Sequence, residues 1–433
     1  MSTPALPSIE EIASCVAGYD PNALTVAQAQ DFIRRFVPRV NAVEKLAIRS
    51  ALGRVLAADL VSTIDVPSHD NSAMDGYALR AADLKTDAPT ALRVAGTGLA
   101  GQAYAGSVGA GECVRIMTGA VMPAGLDTVV PQEFTKQQDG LVVVPPGVVA
   151  AGDNRRLAGE DLARGEAALS AGRILKPADI GMAASLGRAE LPVWRRLRVA
   201  FFSTGDELRS IGEPLDEGCV YDSNRYTIHA MLTRLGCEVL DLGVVRDDPA
   251  ALEAAFRSAC ENADAIITSG GVSVGEADHT KRVMAQLGEV AFWRIAMRPG
   301  RPMAFGRVAA DGPGSKSAVL FGLPGNPVAV MVTFYAFVRE ALLAMSGAAP
   351  VPLPLLRART LEPIRKKPGR TEYQRGIVQR AADGDWDLAL TGAQGSGILR
   401  SMSVANGLVV LHHEQGSVPV GGHVDVLPFD GLI

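Results

Sequence analysis

The sequence predicts a multidomain α/β plus all-β protein with a doubly wound α/β domain at its centre. Three observations carry this. Residues 195–347 alternate short apolar runs (198–203, 238–243, 266–268, 319–323) with segments of helical periodicity. Strands alternating with helices build a parallel sheet through right-handed crossovers. Residues 65–147 and 348–433 instead carry strand-like runs between Gly and Pro turns, the texture of all-β units. A length of 433 residues allows two to four domains.

Taken in order, residues 1–23 read as an N-terminal tail. Ile9, Ile12 and Val16 allow one short amphipathic turn, hemmed in by Pro4, Pro7, Gly18 and Pro21. Thr25 is placed to cap a helix through Phe32, Ile33 and Phe36, which Pro38 ends. A second helical pattern is expected over 43–59. With 148–194, which holds an apolar helix over 179–186, residues 24–64 form a discontinuous linker domain. The inserted β-rich domain, 65–147, places strands at 92–95, 114–117, 128–132 and 141–144. Its opening crowds Asp70, Asn71, Ser72 and Asp75 into six positions, which composition alone leaves as either a turn or a site.

In the central domain Asn224 is expected to cap a helix whose Ile228, Met231, Leu232 and Leu235 share one face, and Gly236 to stop it. Asp248 and Pro249 open the next helix. A further apolar helix is expected over 328–338. The C-terminal domain, 348–433, is expected to be β-barrel-like, with a hairpin turn at Asp383 and Gly384 and strands at 408–411 and 424–427. Its basic loop, Arg365, Lys366, Lys367 and Arg370, reads as solvated surface.

Composition narrows the function. A net charge of −5 with no long basic run argues against nucleic acid as a partner. No run of eighteen apolar residues exists to span a membrane. The five cysteines are scattered, without a C-x-x-C pair, which fits a reduced, cytoplasmic protein lacking a zinc site. His412 and His413 are adjacent in a strand-like run and would point to opposite faces.

The densest chemistry lies in 266–283, IITSGGVSVGEADHTKRV. A strand, a glycine turn and a helix start offer backbone N–H groups to an anion, here from Ser269, Gly270, Gly271 and Ser273. Pro324, Gly325 and Asn326 form a second such turn. Glu207, Asp247 and Asp278 each follow a predicted strand end, the edge where open parallel sheets bind ligands. They are candidate Mg²⁺ ligands. Arg294, Arg298 and Arg301 form a nearby cationic loop suited to a tetrahedral oxyanion. Together these features point to phosphoryl or pyrophosphate chemistry on a phosphorylated ligand, whose identity the residues leave open.

DNSAMDGYA (70–78), RIMTGA (115–120), GED (159–161), STGDEL (203–208), YDSNR (221–225), RDDP (246–249), SGGVSVGEADHTK (269–281) and LPGNP (323–327) together resemble the MoeA family. These are molybdopterin molybdenumtransferases related to the gephyrin E domain. The resemblance implies that molybdate and adenylylated molybdopterin are substrates, that the central domain binds molybdopterin, and that a Mg²⁺-dependent step releases AMP. It implies a homodimer with shared active sites, the C-terminal domain of one subunit facing the central domain of the other, and a molybdopterin adenylyltransferase as upstream partner. Carried over by motif, it implies catalytic roles for Asp75, Thr118, Glu207, Asp278 and Ser396, anion binding by Arg375, and Asp161 as a further metal ligand. The family is commonly Lys-rich where this chain has Arg294, Arg298 and Arg301. Arginine keeps the charge but cannot give up a proton. Two other readings are a stand-alone adenylyltransferase-like enzyme and a non-catalytic scaffold like the gephyrin E domain. DNSAMDGYA and the C-terminal β domain argue against the first, and the intact acid set against the second.

Overall fold

The computed structural model describes residues 7–271, 278–311 and 315–429, and at Asp278 the backbone alone. Its centre is a six-stranded sheet in the order Glu238–Val245, Arg198–Thr204, Ala265–Ser269, Ser317–Leu323, Pro302–Ala309, Gly288–Arg294. The first four strands are parallel. Side chains of one strand divide between the two faces: Val199 and Phe201 enter one core, Ala200 and Phe202 the other. Burial on both faces is why these strands read as unbroken apolar runs. The last two strands are antiparallel, so the sheet is mixed where a parallel one was expected. Residues 288–294, GEVAFWR, gave too little alternation to announce an edge strand.

Three further expectations are corrected, two of them near the N-terminus. Within the expected tail of 1–23, the described part from residue 7 is more than a tail, because Ile9–Cys15 is a helix with a capping box between Ser8 and Glu11. Ile12 and Val16 lie in the main core. The segment straps the antiparallel edge: the Ile9 N–H donates to Glu289, Trp293 Nε1 to Tyr19 Oη at 3.1 Å, and the Arg294 N–H to Pro21 O at 2.7 Å. Covering a sheet edge removes a row of unpaired backbone groups from solvent. Residues 43–59 hold no α-helix. Val43–Ala47 is a strand paired with Glu190–Trp194, followed by one 3₁₀ turn. Here a partner nearly 150 residues away overrides local periodicity. Asn224 caps no helix, since Asp222 takes that role by accepting the Arg225 N–H.

The Val26–Phe36 helix forms with Thr25 as its cap. All four expected strands of 65–147 are present in a six-stranded sheet. Beyond the α/β unit, Thr371–Arg380, Trp386–Leu390, Leu356–Thr360, His423–Pro428 and Gly407–Leu411 pair in that order, and the last closes onto the first as a five-stranded barrel. Lys366 is buried and donates to the carbonyls of Lys367, His413 and Gln415, so this one residue latches the basic loop, while Arg365 and Lys367 are exposed as expected. Pro327–Met345, broken by one π-turn over 334–338, is long and apolar enough to cross a membrane, but 72% of it is buried inside the protein. It is a core helix.

Candidate active site

The C-terminal ends of the parallel strands open into a cleft of about 1050 Å³. Glu207 and Asp247 line it on loops after the first and second parallel strands in chain order. Gly270 and Gly271 follow the third, and Pro324, Gly325 and Asn326 the fourth. The chain must be glycine at 270: φ is +94°, and a Cβ would sit 2.4 Å from the Thr204 carbonyl oxygen. Gly300 is equally constrained, with φ at +92° and Thr333 Oγ1 only 2.6 Å from where a Cβ would lie.

Asn224 ties these loops together. Its Nδ2 donates to Ser269 Oγ at 2.9 Å and to Gly325 O at 2.6 Å, while its Oδ1 is buried without a partner. Sequence reasoning missed this role because a polar residue in a first helical turn reads as a cap. Its place beside the sheet edge was the available signal. Asp247 Oδ1 accepts from the buried Thr280 hydroxyl at 3.3 Å.

Arg298 is exposed and lines the cleft. Met297–Arg298 adds in parallel to Thr371–Glu372 at the start of the barrel strand, which fixes the loop against the C-terminal unit. Arg294 and Arg301 are exposed and lie outside the lining. They stand at the base of the loop, which is held narrow where the Ile295 N–H donates to Arg301 O at 2.8 Å. Arg375 is fully buried behind the wall, bonded to Ser401 Oγ at 2.9 Å and Gly395 O at 3.0 Å. Burial, and then the charge of Arg298, push its guanidinium down to about 10. It supports the loop carrying Gln394 and Ser396, both of which line the cleft.

The resemblance placed Ser396 in the cleft of the other subunit, whereas here it lines the cleft of its own chain. Its carbonyl accepts the Val328 N–H at 3.0 Å, so the C-terminal unit completes the cleft of its own chain. Pairing of 297–298 with 371–372 adds a second contact between the two units of the same chain. Asp75, Thr118 and Asp161 also lie outside this cleft. Asp75 Oδ1 accepts both the N–H and the hydroxyl of Thr118, each at 2.7 Å, and these bonds hold its carboxyl below the usual range. Asp161 is exposed on a turn, its N–H donating to Val66 O at 3.0 Å. Ser273 lies outside the described residues, as does the Asp278 side chain.

Among the described residues no three His, Cys, Asp or Glu side chains surround one metal position. The donor set fits Mg²⁺ in the manner common for phosphate substrates, with one or two carboxylates completed by phosphate oxygens and water. Among the described residues Asp206, Glu207 and Asp247 are the carboxylates that line the cleft, and the last two are the candidates the sequence offers for it.

Three family profiles cover most of the chain: the MoeA N-terminal region (domain I and II) matches 24–187, a probable molybdopterin binding domain 200–344, and the MoeA C-terminal region (domain IV) 357–429. The chain belongs to the MoeA family. A molybdopterin molybdenumtransferase from Haemophilus influenzae is 40% identical, over 95% of this chain and 100% of that relative. One from Nostoc is 35% identical over 93% of each. The crystal structure of a molybdopterin biosynthesis MoeA protein from Pyrococcus horikoshii superposes with a TM-score of 0.79 at 28% identity, covering 94% of this chain and 100% of that one. The expected multidomain MoeA architecture is therefore borne out.

Proposed function

We propose that this MoeA-family enzyme, a transferase of molybdenum cofactor biosynthesis, inserts molybdenum from molybdate into adenylylated molybdopterin and releases AMP. One observation carries the reading: a single cleft brings Glu207 and Asp247 together with two glycine turns and Arg298. The amides of Gly271 and Gly325 suit phosphate oxygens, because glycine lets the backbone approach them closely, while the Gly270 N–H donates to Leu323 O at 3.1 Å. Arg298 suits molybdate or the ligand phosphate as a charge-assisted donor, and it transfers no proton. Ser396 and Gln394 close the far wall, and Arg375 holds them there. Glu207 and Asp247 would hold Mg²⁺, which when bound supplies neutralisation of pyrophosphate charge.

Asp75, Thr118 and Asp161 belong to this chemistry only if another subunit delivers them. We therefore place the protein as a cytoplasmic homodimer in which the N-terminal half of one subunit faces the cleft of the other. A molybdopterin adenylyltransferase supplies its substrate. The test is AMP release from adenylylated molybdopterin by the purified protein. Release that requires both molybdate and Mg²⁺ supports the reading, and release that proceeds without molybdate overturns it.

A further inference from the structure

The loop carrying Arg298 is held by the N-terminal segment as well as by the barrel. The Arg294 N–H donates to Pro21 O and the Ala296 N–H to Leu24 O, each at 2.7 Å, and Leu24 bridges Ile295 in parallel. From the opposite side the Ala296 carbonyl accepts the Thr371 N–H at 2.9 Å. The stem of the loop thus runs between residues 21–24 and the barrel strand, and Arg298 stands two residues beyond Ala296. Covering the sheet edge accounts for the Ile9 contact with Glu289. It does not account for a bond at Ala296, which lies past the end of the Gly288–Arg294 strand.

Residues 21–24 are themselves anchored at both ends. Leu24 is fully buried and directly precedes the helix cap Thr25. Upstream, Gln28 Nε2 donates to the Ala17 and Gly18 carbonyls at 2.8 and 3.3 Å. Tyr19 links the segment to the strand beneath the loop. Its Oη accepts from Nε1 of Trp293, the residue before Arg294, and its ring stacks on Phe32 at 5.6 Å. Trp293 is 1% exposed, edge-on to Phe32 and stacked on Phe305. Its N–H therefore has no water to turn to if Tyr19 is lost. A shift of about 1 Å in a positioned group can cost about a hundredfold in rate, so small changes at this anchor reach the cleft.

We propose that residues 19–24 are a positioning element for the oxyanion-binding loop, with Tyr19 as its positioning residue. They lie outside the cleft lining and act by setting how far Arg298 reaches into it. The inference rests on the reading of Arg298 as the oxyanion contact.

Equilibrium dialysis of the full chain with labelled molybdate, with hydrogen exchange followed at residues 294–297, tests it. Tyr19→Ala should speed exchange at Arg294 and Ala296, leave the Ala265–Ser269 strand protected, and weaken molybdate binding about tenfold. Tyr19→Phe keeps the stacking and should weaken it less. A double-mutant cycle separates positioning from general loosening. In an Arg298→Ala background, Tyr19→Ala should change binding by less than about twofold, because the positioned group is gone. Equal weakening in both backgrounds overturns the inference. So does unchanged binding by Tyr19→Ala where Arg298→Ala weakens it, and either result leaves the role of Arg298 standing. If Arg298→Ala itself leaves molybdate binding unchanged, the reading beneath fails and the inference with it. Should Tyr19→Ala also expose the central strand, the same cycle is read with Tyr19→Phe.

Discussion

At Arg298 the guanidinium enters the cleft from a loop pinned on both sides, by the barrel strand and by the buried turn at Gly300. Little backbone ordering is left to oppose binding, so Arg298→Ala should raise the molybdate concentration for half-maximal rate about ten- to a hundredfold, and Arg298→Lys should keep substantial activity. Titration of molybdate against both variants checks this. Asn224 makes a different kind of contribution. Replacing it with Ala leaves Ser269 Oγ and Gly325 O without their buried donor, which should cost about 1–3 kcal/mol in urea unfolding and raise the KM for the adenylylated ligand. A third residue sets acid stability. Burial pushes the Asp264 carboxyl up, but the bonds from Arg195 and the Arg198 N–H, with the Arg195 charge, outweigh it and leave the group below 3.8. A depressed folded-state value stabilises above the unfolded value and is lost as pH falls through the folded one. Asp264→Asn should therefore be clearly less stable than the parent at pH 7, with the gap closing below about pH 4. The carboxylates at strand ends were legible from sequence because one rule of parallel sheets places them. Asn224 and the burial of Arg375 were not, because both depend on which loops tertiary packing brings alongside.

Among the elements, those with strong periodicity were readable: the Val26–Phe36 helix behind Thr25, the Pro249–Asn262 helix behind Asp248, and the buried strands around residue 266. Elements whose identity comes from a distant partner were not, as Val43–Ala47 and Gly288–Arg294 show. The strap at the N-terminus gives a test at this scale. Ile12 is 4% exposed within the main core. Ile12→Ala should lower stability by about 2–5 kcal/mol, where a loose tail would show no change. Urea midpoints of the two proteins decide it.

For the whole molecule, the consequence of Ser396 lying in its own chain's cleft is a specific pattern of rescue. An Asp75→Ala subunit and an Asp247→Asn subunit, each inactive alone, should regain activity when mixed. With free exchange, half the dimers are hybrids, each with one intact cleft, so recovery should approach roughly a quarter of the parent rate under two-fold symmetry. Asp247→Asn mixed with Ser396→Ala should show no recovery, because the two changes occupy opposite subunits' clefts and spoil both. The reverse pattern would restore the arrangement first expected from the family resemblance. Sequence order says that residue 396 belongs to a separate barrel, but not which cleft the barrel closes.

The N-terminal strap also imposes a timetable on synthesis. Ile9 leaves the ribosome 280 residues before Glu289, the side chain its backbone binds. At about 5–20 residues per second this is an interval of roughly 15–60 s. Throughout it, the apolar faces of the first two helices have no sheet to rest on. The nascent chain should therefore be a holdase client until the antiparallel edge emerges. Moving the strap to the C-terminus by circular permutation would shorten that exposure.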